Sequence, residues 1–325
     1  MIERKTDMII SYPEIHYQKE NGGIRITACY GEDGRVFLPE RIEGQPVTAI
    51  GAYAFSEGGE SPEDLVWGQE GKQEKLKAER IQELHLPDGV CRIGRYAFYR
   101  CRNLAKLTLS DGILEIGGGA LTGCRPGQIE IHLRRGEQSA LKSILDEVRF
   151  AIRATLYYHR AEGKIEVAKV LFPEHYEEAV ENTPARLLYT SHHGAGGYYR
   201  QCFYDRKLDF PKYDALLPRA VAEETPETVT ELAIQRLLFP VGLSKKAKEE
   251  YETFLREHGG QAAAFLVDKE ELDGLRLLMD GGLLEEAAFE IGIETALKQG
   301  KTALVSLLME ERSRRFPRKK KTFEF

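Results

Sequence analysis

The sequence of 325 residues contains no uninterrupted apolar run near the roughly 18 residues that would suggest a membrane span, so no spanning helix is expected. It has only five cysteines (Cys29, Cys91, Cys101, Cys124 and Cys202), an odd number with no CxxC pair. That pattern speaks against a disulfide framework or a structural zinc site and for reduced thiols. Positive charge is not in excess: 46 basic against 52 acidic residues give a formal net charge of -6, which excludes a bulk electrostatic grip on nucleic acid and leaves only a local basic patch. The opening "MIERKTDMIISYPEIHY" has no apolar h-region, so no secretory signal is expected and the cytoplasm is the anticipated compartment. The run "GAGG" at 194–197 is followed by no GK[ST] and does not match GxGxxG, and no cofactor is implied.

What is present is 42% hydrophobic and 30% charged residues, enough for two or three cores. A repeat dominates the first half. Ile81, Leu84, Leu86, Asp88, Gly89, Ile93, Gly94, Ala97 and Cys101 recur 23 residues later as Leu104, Leu107, Leu109, Asp111, Gly112, Ile116, Gly117, Ala120 and Cys124. A stretched copy precedes them, with Pro39, Val47, Ile50, Gly51, Ala54 and Phe55 matching Pro87, Val90, Ile93, Gly94, Ala97 and Phe98. A further copy starts one residue out of step at "IEIHL". Periods of about 20 to 29 residues with LxxLxL spacing belong to leucine-rich solenoids, whose coils bury their faces only by stacking.

The pattern LxxLxLPxxVxxIGxxAFxxC resembles the BspA-type bacterial leucine-rich repeats, over about residues 20–135. The resemblance implies a solenoid and is nearly silent on function; many relatives are surface or adhesive proteins, and an adhesin is therefore one reading. If "RVFL", "ELHL", "KLTL" and "IEIHL" are successive parallel strands, Val36, Leu84, Leu107 and Ile131 point inward with Leu38, Leu86, Leu109 and Leu133. One outward row then reads Arg35, Glu83, Lys106, Glu130 and the next Phe37, His85, Thr108, His132. The first is a ladder of alternating charge that either sets register or meets a partner. On this register His85 and His132 lie two strands, about 9–10 Å, apart, too far to share a metal, and no metal site is expected. Cys101 and Cys124 are expected to stack in the core. An insertion at 56–80 carries Trp67, which either folds back on the solenoid or, with Leu65 and Val66, anchors a partner.

Beyond 135, "VRFAIRATLYY" alternates and "KIEVAKVLFP" follows a turn, which predicts a β-hairpin within a small mixed domain at 136–208. Helical periodicity then runs through 209–316. Thr225 and Pro226 start one helix and Ser244 another, while Asp268 and Glu271 form a capping-box-like pair before Leu272. Two more helices are expected near 287–297 and 302–309. These short helices resemble ankyrin-like helical repeats in architecture, without a TPLH signature.

The stretch 181–207 concentrates Ser191, His192, His193, Tyr199, Arg200 and Cys202. It reads as a structural or binding loop, as an anion or small-ligand site using Arg200, or as a thiol–imidazole pair in an enzyme or sensor. "RSRRFPRKKK" ends in a basic tail, 317–325, either solvated or docking electrostatically to nucleic acid, a membrane surface or an acidic partner. The reading is an α+β multidomain chain: a short leucine-rich repeat β-solenoid (1–135), a small strand-containing linker domain, and a C-terminal α-helical array. It is expected to bind a protein partner without being an enzyme.

Overall fold

A computed structural model describes residues 12–68, 73–113, 115–182 and 187–317, with the backbone alone at 115, 177–182 and 187–192. Contacts divide the chain into two units, Met1–Asp209 and Phe210–Phe325.

In the first unit, β1 (Glu14–Glu20) and β2 (Gly23–Tyr30) form an antiparallel pair. Then come β3 (Arg35–Phe37), β4 (Arg41–Ile42), β5 (Gln45–Ile50) and β6 (Leu65–Trp67), followed by β7 (Glu83–His85), β8 (Arg92–Ile93), β9 (Lys106–Ser110), β10 (Glu115–Ile116) and β11 (Gln128–Leu133). After the helix α1 (Leu141–Glu147) come β12 (Ile152–His159) and β13 (Ile165–Phe172). The strands build two sheets, ordered β10-β8-β5-β2-β1-β6 and β13-β12-β11-β9-β7-β3. Within each, the repeat strands pair in parallel, as stacked coils must.

The repeat residues close the coil. Gly51, Gly94 and Gly117 donate their N–H groups to the carbonyls of Ile26, Ile50 and Ile93 at 2.7–2.8 Å. Coils approach so closely there that a Cβ on Gly94 would lie 2.4 Å from the Ala52 nitrogen, and one on Gly117 2.2 Å from the Arg95 nitrogen. At the opposite corner the buried thiols of Cys101 and Cys124 donate to the carbonyls of Phe55 and Phe98, one coil back, at 3.3 and 2.8 Å. The thiols thus stack in the core and add a second donor to carbonyls that already accept from the Ala78 and Cys101 N–H groups.

Val36, Leu38, Leu84, Leu86, Leu107, Leu109, Ile131 and Leu133 are all buried, as their alternation predicts. The rungs differ from expectation in one place. β11 pairs Gln128 with Lys106, Glu130 with Thr108 and His132 with Ser110, two residues away from the anticipated register. A shift of two leaves every side chain on its own face, so alternation alone cannot detect it.

The hairpin at 152–172 also lies elsewhere than anticipated. β12 joins the solenoid sheet in parallel beside β11, and β13 folds back antiparallel on β12, so the sheet runs on past 135 into the segment expected to be a separate linker domain. The insertion folds back: β6 pairs antiparallel with β1, and Asp64 accepts from Gln18 and Thr27 at 2.6 Å each. Further on, β14 (Tyr176–Asn182) and β15 (Leu187–His193) form a hairpin. They lead through α2 (Gly196–Tyr199) to β16 (Phe203–Tyr204) and β17 (Lys207–Leu208).

The second unit is an array of helices: α3 (Phe210–Asp214), α4 (Leu217–Glu223), α5 (Pro226–Leu238), α6 (Lys245–Glu257), α7 (Gly259–Lys269), α8 (Leu272–Asp280), α9 (Glu286–Lys298) and α10 (Thr302–Arg315). Thr225 and Ser244 cap α5 and α6 by accepting from Thr228 and Ala247 N–H groups. The Asp268–Glu271 capping box does not form, because Asp268 lies inside α7. That helix went unforeseen because it opens on Gly259–Gly260, residues of poor helix propensity. Small residues let it lie close to α9: a Cβ on Gly292 would be 3.3 Å from that of Ala263. Among the described residues no helix is long and apolar enough to cross a membrane.

A buried ion pair organises the start of this array. Arg236, fully buried on α5, donates through Nε and Nη2 to the two carboxylate oxygens of Asp214 at 2.7 and 2.9 Å. Its remaining donors reach the Phe239 and Val241 carbonyls, and Tyr251 of α6 donates to Asp214 at 3.0 Å. Burial disfavours the guanidinium charge, but the Asp214 carboxylate outweighs it and raises the Arg236 pKa.

Candidate interaction face

The outward side of the sheet β13-β12-β11-β9-β7-β3 gathers most of the anticipated site residues. Its first row runs Arg35, Glu83, Lys106, Gln128, Arg153 and its second Phe37, His85, Thr108, Glu130, Thr155, Lys169. A third holds Ser110, His132, Tyr157 and Val167. Glu130 still pairs with Lys106, but diagonally, at 2.9 Å, and accepts from Thr108 at 3.4 Å.

Two ring stacks flank that ion pair. Phe37 lies flat on His85, with centroids 4.1 Å apart and an interplanar angle of 7°. His132 stacks on Tyr157 at 4.8 Å and 11°. All four rings are half-buried. His85 and His132 do not share a row; His132 instead meets His159, Nδ1 to Nε2, at 3.1 Å. Arg134 lies 3.2 Å from His159 Nδ1, and a guanidinium only donates, so His159 Nδ1 is the acceptor and His159 Nε2 carries the proton donated to His132. The alternation of 148–158 stops one residue short of His159, the partner that sequence reasoning missed.

Burial, reinforced by Arg134 and His159, lowers the His132 pKa against the opposing pull of Asp88 and Glu130. Burial and Lys106 likewise lower that of His85, although Glu83 and Glu130 oppose them. Both imidazoles are therefore held neutral more firmly than in water. Among the described residues no group of three or more His, Cys, Asp or Glu side chains is placed to hold a metal ion.

Trp67 lies apart from this face, at the edge of the other sheet, with its ring edge-on to Tyr12 at 5.8 Å; Leu65 and Val66 beside it are exposed. The described side chains of 181–207 do not assemble the anticipated site. The His192 side chain lies outside the described residues, as does 318–325 of the basic tail. His193 is exposed near Tyr176, at 5.6 Å. Tyr199 and Arg200, by contrast, are buried. The Arg200 guanidinium is turned inward, donating to the carbonyls of Val148, Arg149, Phe150, Pro173 and Gly196, so it ties backbone segments together instead of presenting an anion site. Cys202 is fully buried, its thiol 3.5 Å from the Tyr198 carbonyl, which removes the exposure a thiolate nucleophile needs.

Residues 73–158 match the family model for the BspA type leucine rich repeat region, in six copies, ending within β12. Neither the curated proteins nor the solved structures compared with the chain give a match.

Proposed function

We propose that the chain is a non-enzymatic interaction protein and that its partner is a protein seated on the face just described. The observation that carries this reading is the pair of half-buried ring stacks around a Lys106–Glu130 ion pair on a rigid parallel sheet. Aromatic anchors beside a polar rim are the composition of an interface centre, and a rigid sheet presents them at little entropic cost. Leucine-rich repeat arrays such as the one matched at 73–158 mostly serve as binding surfaces.

Size sets a further condition. Five strand spacings of about 4.8 Å by about 17 Å of strand give roughly 400 Å², about half of what one partner contributes to a standard interface. The partner must also reach past the outer edge of the first row, where Arg35, Gln128 and Arg153 are exposed. The test is capture from the native host by immobilised full-length chain, comparing wild type with Lys106→Glu, Tyr157→Ser and the off-face control Arg102→Ala. Loss of the same protein with the first two and retention with the third is expected; capture indifferent to all three ends the proposal.

A further inference from the structure

The sheet β10-β8-β5-β2-β1-β6 carries a trough of about 750 Å³, within the size range of small-ligand sites. Its register sets Arg25 beside Ala49 and Ala49 beside Arg92, so two arginines stand in one row about a buried alanine. Glu20 already bridges them, Oε1 to Arg25 Nε at 3.0 Å and Oε2 to Arg92 Nη2 at 2.6 Å, which demonstrates that an oxyanion fits between these guanidinium groups. The floor is made by Gly51, Ala52, Gly94 and Gly117, and at Gly94 and Gly117 a side chain would strike the backbone of the adjacent coil, so the trough is an enforced consequence of coil stacking.

A third arginine comes from a distant part of the chain. Arg206 lines the trough together with Ser143. It sits in the turn between β16 and β17, where Asp205 and Arg206 both have positive φ, 44° and 63°. A bulky residue is costly there and glycine is not. The turn is fixed from outside, Asp205 accepting from Gln138 at 2.6 Å and the Arg206 carbonyl from the Ser139 N–H at 3.2 Å. Strain of this kind on a pinned turn points to a job for the side chain it delivers.

Among the described lining side chains three guanidinium groups meet one carboxylate, in a chain whose net charge is -6. Among the described lining residues there is no aromatic ring on which a base could stack. Arginine forks match phosphate and carboxylate oxygens. We infer that the trough is a binding site for a small molecule bearing phosphate or carboxylate oxyanions, held by Arg92 and Arg206.

The experiment titrates isotopically labelled full-length protein with inorganic phosphate, with citrate, and with sodium chloride at matched ionic strength, following the amide resonances of Gly51, Gly94, Gly117 and Ser143. Saturable shifts with phosphate or citrate and none with chloride are expected, the tighter of the two identifying which oxyanion the site prefers. Arg206→Gly, which suits the turn and leaves melting unchanged or raised, is expected to weaken binding at least tenfold, as is Arg92→Ala, while Arg102→Ala binds as wild type. Absent or non-saturable shifts, shifts centred elsewhere, or wild-type affinity in the folded Arg206→Gly variant would overturn the inference.

Discussion

Replacing Asp214 by alanine tests the helical array at its most exacting point. Arg236 is fully buried, and two of its hydrogen bonds end on this one carboxylate. Without it the guanidinium keeps the Phe239 and Val241 carbonyls, and Tyr251 loses this acceptor. Removing one partner of a buried pair typically costs about 3–5 kcal/mol, because the remaining charge stays desolvated. With a urea dependence of about 2 kcal/mol per molar, the unfolding midpoint should fall by about 2 M. The chain offers separate reporters for its units: Trp67, the only tryptophan, lies in the first, whereas helical circular dichroism comes mainly from the second. In Asp214→Ala the dichroism transition should move while the tryptophan transition stays. The double change Asp214→Leu with Arg236→Met should recover most of the loss, since a packed apolar pair avoids the desolvation altogether. A shift worth under about 1 kcal/mol in the single variant would refute this account of the pair.

Other expectations follow from the same reasoning. His85 and His132 have lowered pKa values in the folded state, so the unfolded chain binds more protons as pH falls below about 6.5. Stability of the first unit should be level above about pH 7 and decline as pH falls below about 6.5, and His132→Gln should flatten that slope in tryptophan-monitored melts; an unchanged slope in His132→Gln and in the corresponding His85 variant would count against the assignment. Gly94→Ala should destabilise the solenoid by about 1–3 kcal/mol through backbone overlap, whereas Gly118→Ala, with nothing within 4 Å of its Cβ, should melt as wild type. Native protein should present one reactive thiol per chain to an aromatic disulfide reagent, that of Cys91, with Cys29, Cys101, Cys124 and Cys202 reacting only on unfolding; rapid labelling of Cys202 would reopen a thiol chemistry at 189–206.

Much of the solenoid was legible because its constraints are periodic. Each inward position is an apolar residue at period two, each coil junction an Ile-Gly, and these recur at a fixed spacing. The rung between β9 and β11 was not, because the two candidate registers bury the same side chains and differ only in which outward groups oppose each other. Arg200 shows the other limit. Its residue type suits an anion site, but its partners are carbonyls up to 52 residues away, and nothing local announces that burial. Asp214 and Arg236 were silent for the same reason, each an ordinary charged residue until the fold brings α3 and α5 together. His159 was within reach: continuing the alternation by one residue and reading β12 as another coil strand would have set it next to His132.

Each sheet is extended at one edge by antiparallel pairing, β1 and then β6 beyond β2 in one and β13 beyond β12 in the other, and ends at its opposite edge on a repeat strand, β10 or β3. Beyond β2 and β12 the parallel pairing of the repeat is interrupted, because β1 and β13 each run against the strand they join. Insertion between existing coils instead gives a new 23-residue unit the same Ile-Gly junction above and below. Duplicating 94–116 in tandem is therefore expected to give a folded, monomeric chain whose face is wider by one strand spacing, about 4.8 Å, while appending the same unit before β1 should leave it unstructured; light scattering and proteolysis separate these outcomes. The face is therefore expected to lengthen or shorten most readily by whole coils within 81–124, where the junctions match on both sides.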